Sequence, residues 1–202
     1  MVTGVREMAR VAGLLLVFAL FLGADGAGAA DSAVVRSSPG EFAFLGGYGI
    51  THRGFGATRT QVQTVDAILR YGHFLSDEHG EGWYRGRHEL FVELPLHLTV
   101  DPRVRTMTGG YLLGSWKFTS LKEFAPYLFA GGGVLYNDLG LATQGTRLNF
   151  SYQGGVGLQW FVRKDTALGA EYRYHHVSNA GTADPNEPLN SSKILFGVSL
   201  YR

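Results

Sequence analysis

The feature that most constrains the fold is a strict two-residue alternation between apolar and polar side chains. In the clearest stretch, apolar residues share one parity and charged or titratable residues share the other: Leu90, Val92, Leu94, Leu96, Leu98 and Val100 against Arg87, Glu89, Glu93 and His97. Successive side chains of a β-strand leave opposite faces of the sheet, so this stretch predicts a strand with one apolar and one charged face. A sandwich in water would show the same period. The alternation therefore predicts strands without deciding which face meets solvent.

The N-terminal segment indicates the surroundings of those strands. Arg6 and Arg10 precede an apolar run over 11–22, and small residues follow up to Ala30, a pattern typical of a secretory signal peptide. Beyond it no apolar stretch of about 18 residues recurs, which argues against an ordinary transmembrane helix. We therefore predict a cleaved signal peptide over 1–30 and a single domain over 31–202 that crosses the outer membrane with strands.

Alternating runs separated by turn-like residues divide this domain into strands. The predicted strands are 41–54, 60–74, 83–101, 104–118, 124–138, 147–162, 166–178 and 191–202. Their number is even, as bacterial barrels require, and it places both ends of the domain in the periplasm. The predicted fold class is all-β, an eight-stranded antiparallel transmembrane β-barrel of the bacterial outer membrane.

The composition excludes several classes of function. The chain has no cysteine, which rules out disulfides and thiolate metal sites. Its formal net charge is +1, so no basic field favours nucleic acid as a partner. The histidines lack metal-ligand spacing, and neither a metal nor a cofactor is expected. A pore is disfavoured, because side chains fill the interior of an eight-stranded barrel.

One stretch at the end of the seventh predicted strand carries candidate chemistry. His176 and Ser178 stand two residues apart, so their side chains leave the same face with Cα atoms about 6 to 7 Å apart. An imidazole at this spacing can reach a serine hydroxyl and act as its general base. Because Tyr172 and Tyr174 share the parity of the pair, we expect both residues on the outward face, towards the outer leaflet. An ester met there would belong to a lipid.

The residues around this pair resemble a known family. The run from His176 to Gly181, His-Val-Ser-Asn-Ala-Gly, and the following Pro185-Asn186 are similar to the signature of the outer-membrane lipid A 3-O-deacylases, the PagL family. The resemblance implies an eight-stranded barrel that hydrolyses the ester-linked acyl chain at the 3-position of lipid A. The implied partners are lipid A, or lipopolysaccharide, and outer-membrane lipids, and a homodimer is among the assemblies left open.

The resemblance also implies roles for individual residues. His176 matches the general base and Ser178 the nucleophile. Four further positions match residues that shape the site or offer backbone N–H groups to an oxyanion: Asn179, Ala180, Gly181 and Asn186.

The third catalytic member departs from the family pattern. A glutamate is expected four residues after Asn186, and this chain has Asn190 there. An amide can orient an imidazole but supplies no charge. Glu187 and Asp184, in the same loop, are alternative acids. Two interpretations follow: an active serine esterase, or a non-catalytic structural barrel or inactive family member.

Overall fold

The computed structural model describes residues 32–202, which form one closed antiparallel barrel. Each strand pairs with its sequence neighbours, and the last strand closes against the first. The strands are β1 (Gly40–Thr51), β2 (Gln63–Phe74), β3 (Gly86–Asp101), β4 (Arg105–Phe118), β5 (Phe124–Asn137), β6 (Leu148–Arg163), β7 (Thr166–Ser178) and β8 (Leu189–Tyr201). The predicted fold class and strand count are confirmed, with boundaries that agree within a few residues. The predicted signal peptide lies outside the described residues.

The two faces of the sheet have opposite chemistry. In β3, Glu93 is fully buried inside the barrel, whereas the next residue, Leu94, exposes 61% of its surface on the outside. The same alternation runs through β2 and β7, so charged residues point inward and apolar residues point outward. A soluble protein would bury the apolar face, whereas a barrel in a membrane turns it towards lipid.

Paired charges fill the middle of the barrel. The guanidinium of Arg70 on β2 lies 2.7 Å from Glu93 and 2.6 Å from Glu171 on β7. Arg173, also on β7, contacts the same two carboxylates, at 2.7 Å from Glu93. Tyr127 on β5 donates its hydroxyl to Glu171 at 2.7 Å. Buried ions are stable only when paired in this way, so the network ties four strands together across the interior.

The two ends of the barrel differ. At one end, which we call the helix end, the short helix α1 (Ala33–Ser37) packs Val35 against Phe74, Phe161 and Tyr201. The connections 75–85, 119–123 and 164–165 lie at this end. The opposite loop end carries the connections 52–62, 102–104, 138–147 and 179–188. No helix within residues 32–202 is long and apolar enough to cross a membrane.

The interior network gives a stability prediction. Glu93→Gln keeps the shape of the side chain but leaves the two arginines with a single carboxylate, so we expect a loss of about 3 kcal/mol in the free energy of unfolding. Urea unfolding of the refolded barrel in detergent measures it. Leu94→Val, one residue away on the outward face, is the matched control and should change little. Equal stability of the two variants would contradict a structural role for the network.

Candidate active site

The predicted pair lies on the outward face of β7 at the loop end. His176 Nε2 is 3.0 Å from Ser178 Oγ, and both side chains are half-buried. The ring of Tyr152, directly opposite on β6, stacks on the imidazole with centroids 4.2 Å apart and planes 16° apart. This stacking fixes the plane of the imidazole. The structure thus brings together the two residues that the sequence singled out.

Asn190 completes a chain of three side chains. It lies directly across from His176 in the β7–β8 pairing, and its Oδ1 is 2.7 Å from His176 Nδ1. Tyr174 donates its hydroxyl to the same oxygen at 2.6 Å. The residue at the position of the family's acid therefore occupies the place of a group that orients the imidazole.

The contacts of Asn190 settle which way its amide points. Its Nδ2 donates to the carbonyl oxygen of Phe55 at 3.2 Å and to Thr58 Oγ1 at 2.9 Å. A carbonyl oxygen can only accept, so the nitrogen faces Phe55 and the oxygen faces His176. Because Oδ1 also only accepts, His176 Nδ1 carries a proton, and in the neutral imidazole Nε2 then presents its lone pair to Ser178. This is the tautomer that a general base for Ser178 requires.

The connection 179–188 holds the residues predicted to shape the site. The Asn179 N–H donates to Asn186 Oδ1 at 2.8 Å, and the Gly181 N–H donates to Asn179 Oδ1 at 2.9 Å. Two of the three backbone amides proposed for an oxyanion are therefore occupied within the loop. Within residues 32–202 the Ala180 N–H has no acceptor. Ala180 adopts φ 53°, in the left-handed region that residues with a side chain rarely occupy.

The structure does not bring Glu187 to His176. Its Oε1 accepts the backbone N–H groups of Arg59 at 2.7 Å and Thr60 at 2.5 Å, across to the connection 52–62. Partial burial favours the neutral acid, but these two donations outweigh it and hold the pKa of Glu187 below its ordinary value. Asp184, the other alternative acid, is exposed. Glu187 therefore links two connections at the loop end.

Sequence reasoning missed the groups that surround the pair. Phe55 and Thr58 belong to a connection more than a hundred residues away, and no local pattern relates them to Asn190. Tyr152 has the outward parity of its strand. This parity is the one sequence feature that indicates a place for its ring beside His176. Within residues 32–202, no group of three His, Cys, Asp or Glu side chains is placed to hold a metal ion.

Comparison with known proteins shows the family through a family model and the fold through solved structures. The family model described as lipid A 3-O-deacylase (PagL) matches residues 54–199. The crystal structure of the outer membrane enzyme PagL is similar with a TM-score of 0.56 and 18% identity, over 78% of this chain and 97% of that chain. Neisserial surface protein A (NspA) is similar with a TM-score of 0.60 and 14% identity, over 82% and 98%. No match is found among curated protein sequences.

The position of Glu187 gives a prediction about the connection 52–62. The pKa of Glu187 is lower in the folded protein than its ordinary value of 4.5. The stabilisation that its carboxylate gives is therefore complete above pH 4.5 and is lost as the pH falls through the lowered pKa. We expect Glu187→Ala to speed hydrogen exchange at the amides of Arg59 and Thr60 by at least about tenfold near neutral pH. Asp184→Ala, in the same loop, is the control. Unchanged exchange in Glu187→Ala would show that the carboxylate does not hold the two connections together.

Proposed function

The chain belongs to the lipid A 3-O-deacylase (PagL) family, and we propose that it is itself a serine esterase that removes the acyl chain at the 3-position of lipid A. The observation that carries the proposal is the chain of contacts from Ser178 through His176 to Asn190. Ser178 Oγ lies 3.0 Å from His176 Nε2, and Asn190 Oδ1 lies 2.7 Å from His176 Nδ1. Nucleophile, base and orienting group are thus in hydrogen-bond reach of one another.

The chemistry follows from the protonation of His176. Ser178 Oγ attacks the ester carbonyl while its proton passes to Nε2, and the imidazolium then returns a proton to the departing 3-oxygen of the sugar. Water, deprotonated by the same nitrogen, cleaves the resulting acyl-serine. The products are a free fatty acid and lipid A with a 3-hydroxyl group. The unoccupied N–H of Ala180 is the backbone donor that we assign to the oxyanion of the tetrahedral intermediates.

The surroundings of Ser178 suit a lipid substrate. Phe150 lies directly opposite Ser178 in the β6–β7 pairing, and Val134 lies opposite Phe150 on β5. Both are on the outward face, with 42% and 46% of their surfaces exposed, and they offer an acyl chain an apolar wall beside the nucleophile. We place the barrel in the outer membrane with the loop end at the cell surface, so that the pair meets lipopolysaccharide in the outer leaflet.

The amide at position 190 supplies orientation without charge. Asn190 keeps a proton on His176 Nδ1, but it does not offset the positive charge that the imidazole acquires during the reaction. An anionic partner in that place would stabilise the imidazolium as well as orient it. We therefore expect measurable turnover in which Asn190 contributes the orientation of His176 and no stabilising charge.

Removal of the nucleophile tests the activity. Refolded wild-type barrel incubated with lipid A should release one 3-hydroxyacyl chain, and Ser178→Ala should lower the rate by at least about 10³-fold, because the triad acts as a unit. Mass spectrometry of the lipid products is the measurement.

Ser192→Ala is the matched control for this experiment. Ser192 is an outward-facing serine on β8 that also contacts a histidine, with Oγ 2.8 Å from His52 Nε2. Its replacement should leave turnover unchanged. Intact lipid A after incubation with folded wild type, across several lipid A types, would instead support a structural barrel or an inactive family member.

A further inference from the structure

We infer that Thr58 is a positioning residue that makes the third place of the triad specific for an amide. On this view Asn190 is the working member of a Ser–His–Asn triad and is not the remnant of a lost acid. The inference rests on the proposed function, because it concerns how the same site holds His176. It is carried by the hydrogen bonds around Thr58 and by the burial of its side chain.

The hydroxyl of Thr58 uses its whole hydrogen-bonding capacity. Thr58 is fully buried, and its Oγ1 donates to the carbonyl oxygen of Pro188 at 2.9 Å. The same oxygen accepts from the backbone N–H of Asn190 at 3.2 Å and from Asn190 Nδ2 at 2.9 Å. A hydroxyl has one hydrogen to donate and two lone pairs to accept with, so no capacity remains.

The second acceptor around Nδ2 is held by a backbone turn. The carbonyl oxygen of Phe55 accepts the Thr58 N–H at 3.2 Å and Asn190 Nδ2 at 3.2 Å. Thr58 thus contributes its own side chain to Nδ2 and fixes the direction of the Phe55 carbonyl. Two acceptors converge on one buried nitrogen, and both depend on the same residue.

A carboxylate at position 190 would not fit this arrangement. Its second oxygen would take the place of Nδ2 and would face the Phe55 carbonyl and a hydroxyl whose hydrogen points to Pro188. The carboxylate would then face two acceptors in a buried place, since Asn190 is only 5% exposed. Uptake of a proton would relieve this, but it would remove the charge that distinguishes an acid from an amide. The surroundings therefore select asparagine.

Thr58 acts on catalysis through Asn190 and His176. While both acceptors bind Asn190 Nδ2, the amide oxygen accepts a hydrogen bond from His176 Nδ1. The imidazole proton therefore stays on Nδ1. If the amide turned over, Nδ2 would face Nδ1 and favour the tautomer with its proton on Nε2. That tautomer has no lone pair for the Ser178 hydroxyl, so the serine would lose its base. Loss of the Thr58 hydroxyl should therefore affect kcat more than KM.

Kinetics on lipid A test this role. Thr58→Val keeps the shape but removes the hydroxyl, and kcat should fall about tenfold or more with little change in KM, as the loss of one to two hydrogen bonds implies. Thr58→Ser keeps the hydroxyl and should retain most of the wild-type rate. In an Asn190→Ala background, Thr58→Val should cause no further loss, because the residue through which it acts is gone.

Introducing an acid at position 190 gives the sharpest outcome. We expect Asn190→Asp to lower kcat rather than raise it. A variant Asn190→Asp that is faster than wild type would overturn the inference, as would a Thr58→Val variant with the wild-type rate.

A spectroscopic measurement separates this inference from the proposed function. Ring ¹⁵N shifts of His176, assigned by comparison with His176→Gln, should report a proton on Nδ1 in the wild-type barrel and a shift towards the Nε2–H tautomer in Thr58→Val. The readout needs no turnover. If lipid A stays intact while the tautomer responds to Thr58→Val, the esterase proposal fails and the positioning role stands. If the tautomer is the same in both proteins, the positioning role fails.

Discussion

The structure depends on the closure of the sheet, because an open edge in a membrane would leave backbone N–H and C=O groups without partners. The pairing of β1 with β8 removes that edge over eleven residue pairs, from Glu41 with Tyr201 to Thr51 with Ser191. The same closure brings the connection that follows β1 next to the start of β8, where the His52 N–H donates to the Asn190 carbonyl at 2.8 Å. The candidate site is built across this seam. The need to pair every backbone N–H and C=O group by closing the sheet thus determines which side chains can surround His176.

The period of a strand separates two kinds of chemistry that are adjacent in sequence. His175 is buried in the interior and lies 3.0 Å from the hydroxyl of Tyr111, whereas His176 faces outward and contacts Ser178. The inner face holds paired charges that stabilise the barrel. The outer face does not contribute to these ion pairs, so it can carry a nucleophile beside an apolar wall. Fold stability and the proposed lipid chemistry therefore use opposite faces of the same strands.

Local patterns predicted what lies within one strand, and long-range pairing decided the rest. The strand count, the outward parity and the contact of His176 with Ser178 all follow from a two-residue period, and the structure contains them. The position of Asn190 opposite His176 depends on the register between two strands. The contacts of Thr58 depend on closure, which joins residues 132 apart. Hydrogen bonds inside a loop cannot be predicted from sequence patterns either. The backbone amides of Asn179, Ala180 and Gly181 therefore appeared equivalent as donors to an oxyanion, although those of Asn179 and Gly181 already donate within the loop.

The saturated hydroxyl of Thr58 couples two positions of the chain. Where an amide is merely tolerated, a single substitution at position 190 could introduce an acid without a change elsewhere. Here the Phe55 carbonyl and the Thr58 hydroxyl both accept from the nitrogen at position 190, so a carboxylate introduced there alone would place its lone pairs against theirs. Exchanging the amide for an acid would therefore require matched changes at two positions, one in the connection 52–62 and one on β8. Thr58 therefore constrains the side chain at position 190 although it contacts neither Ser178 nor His176.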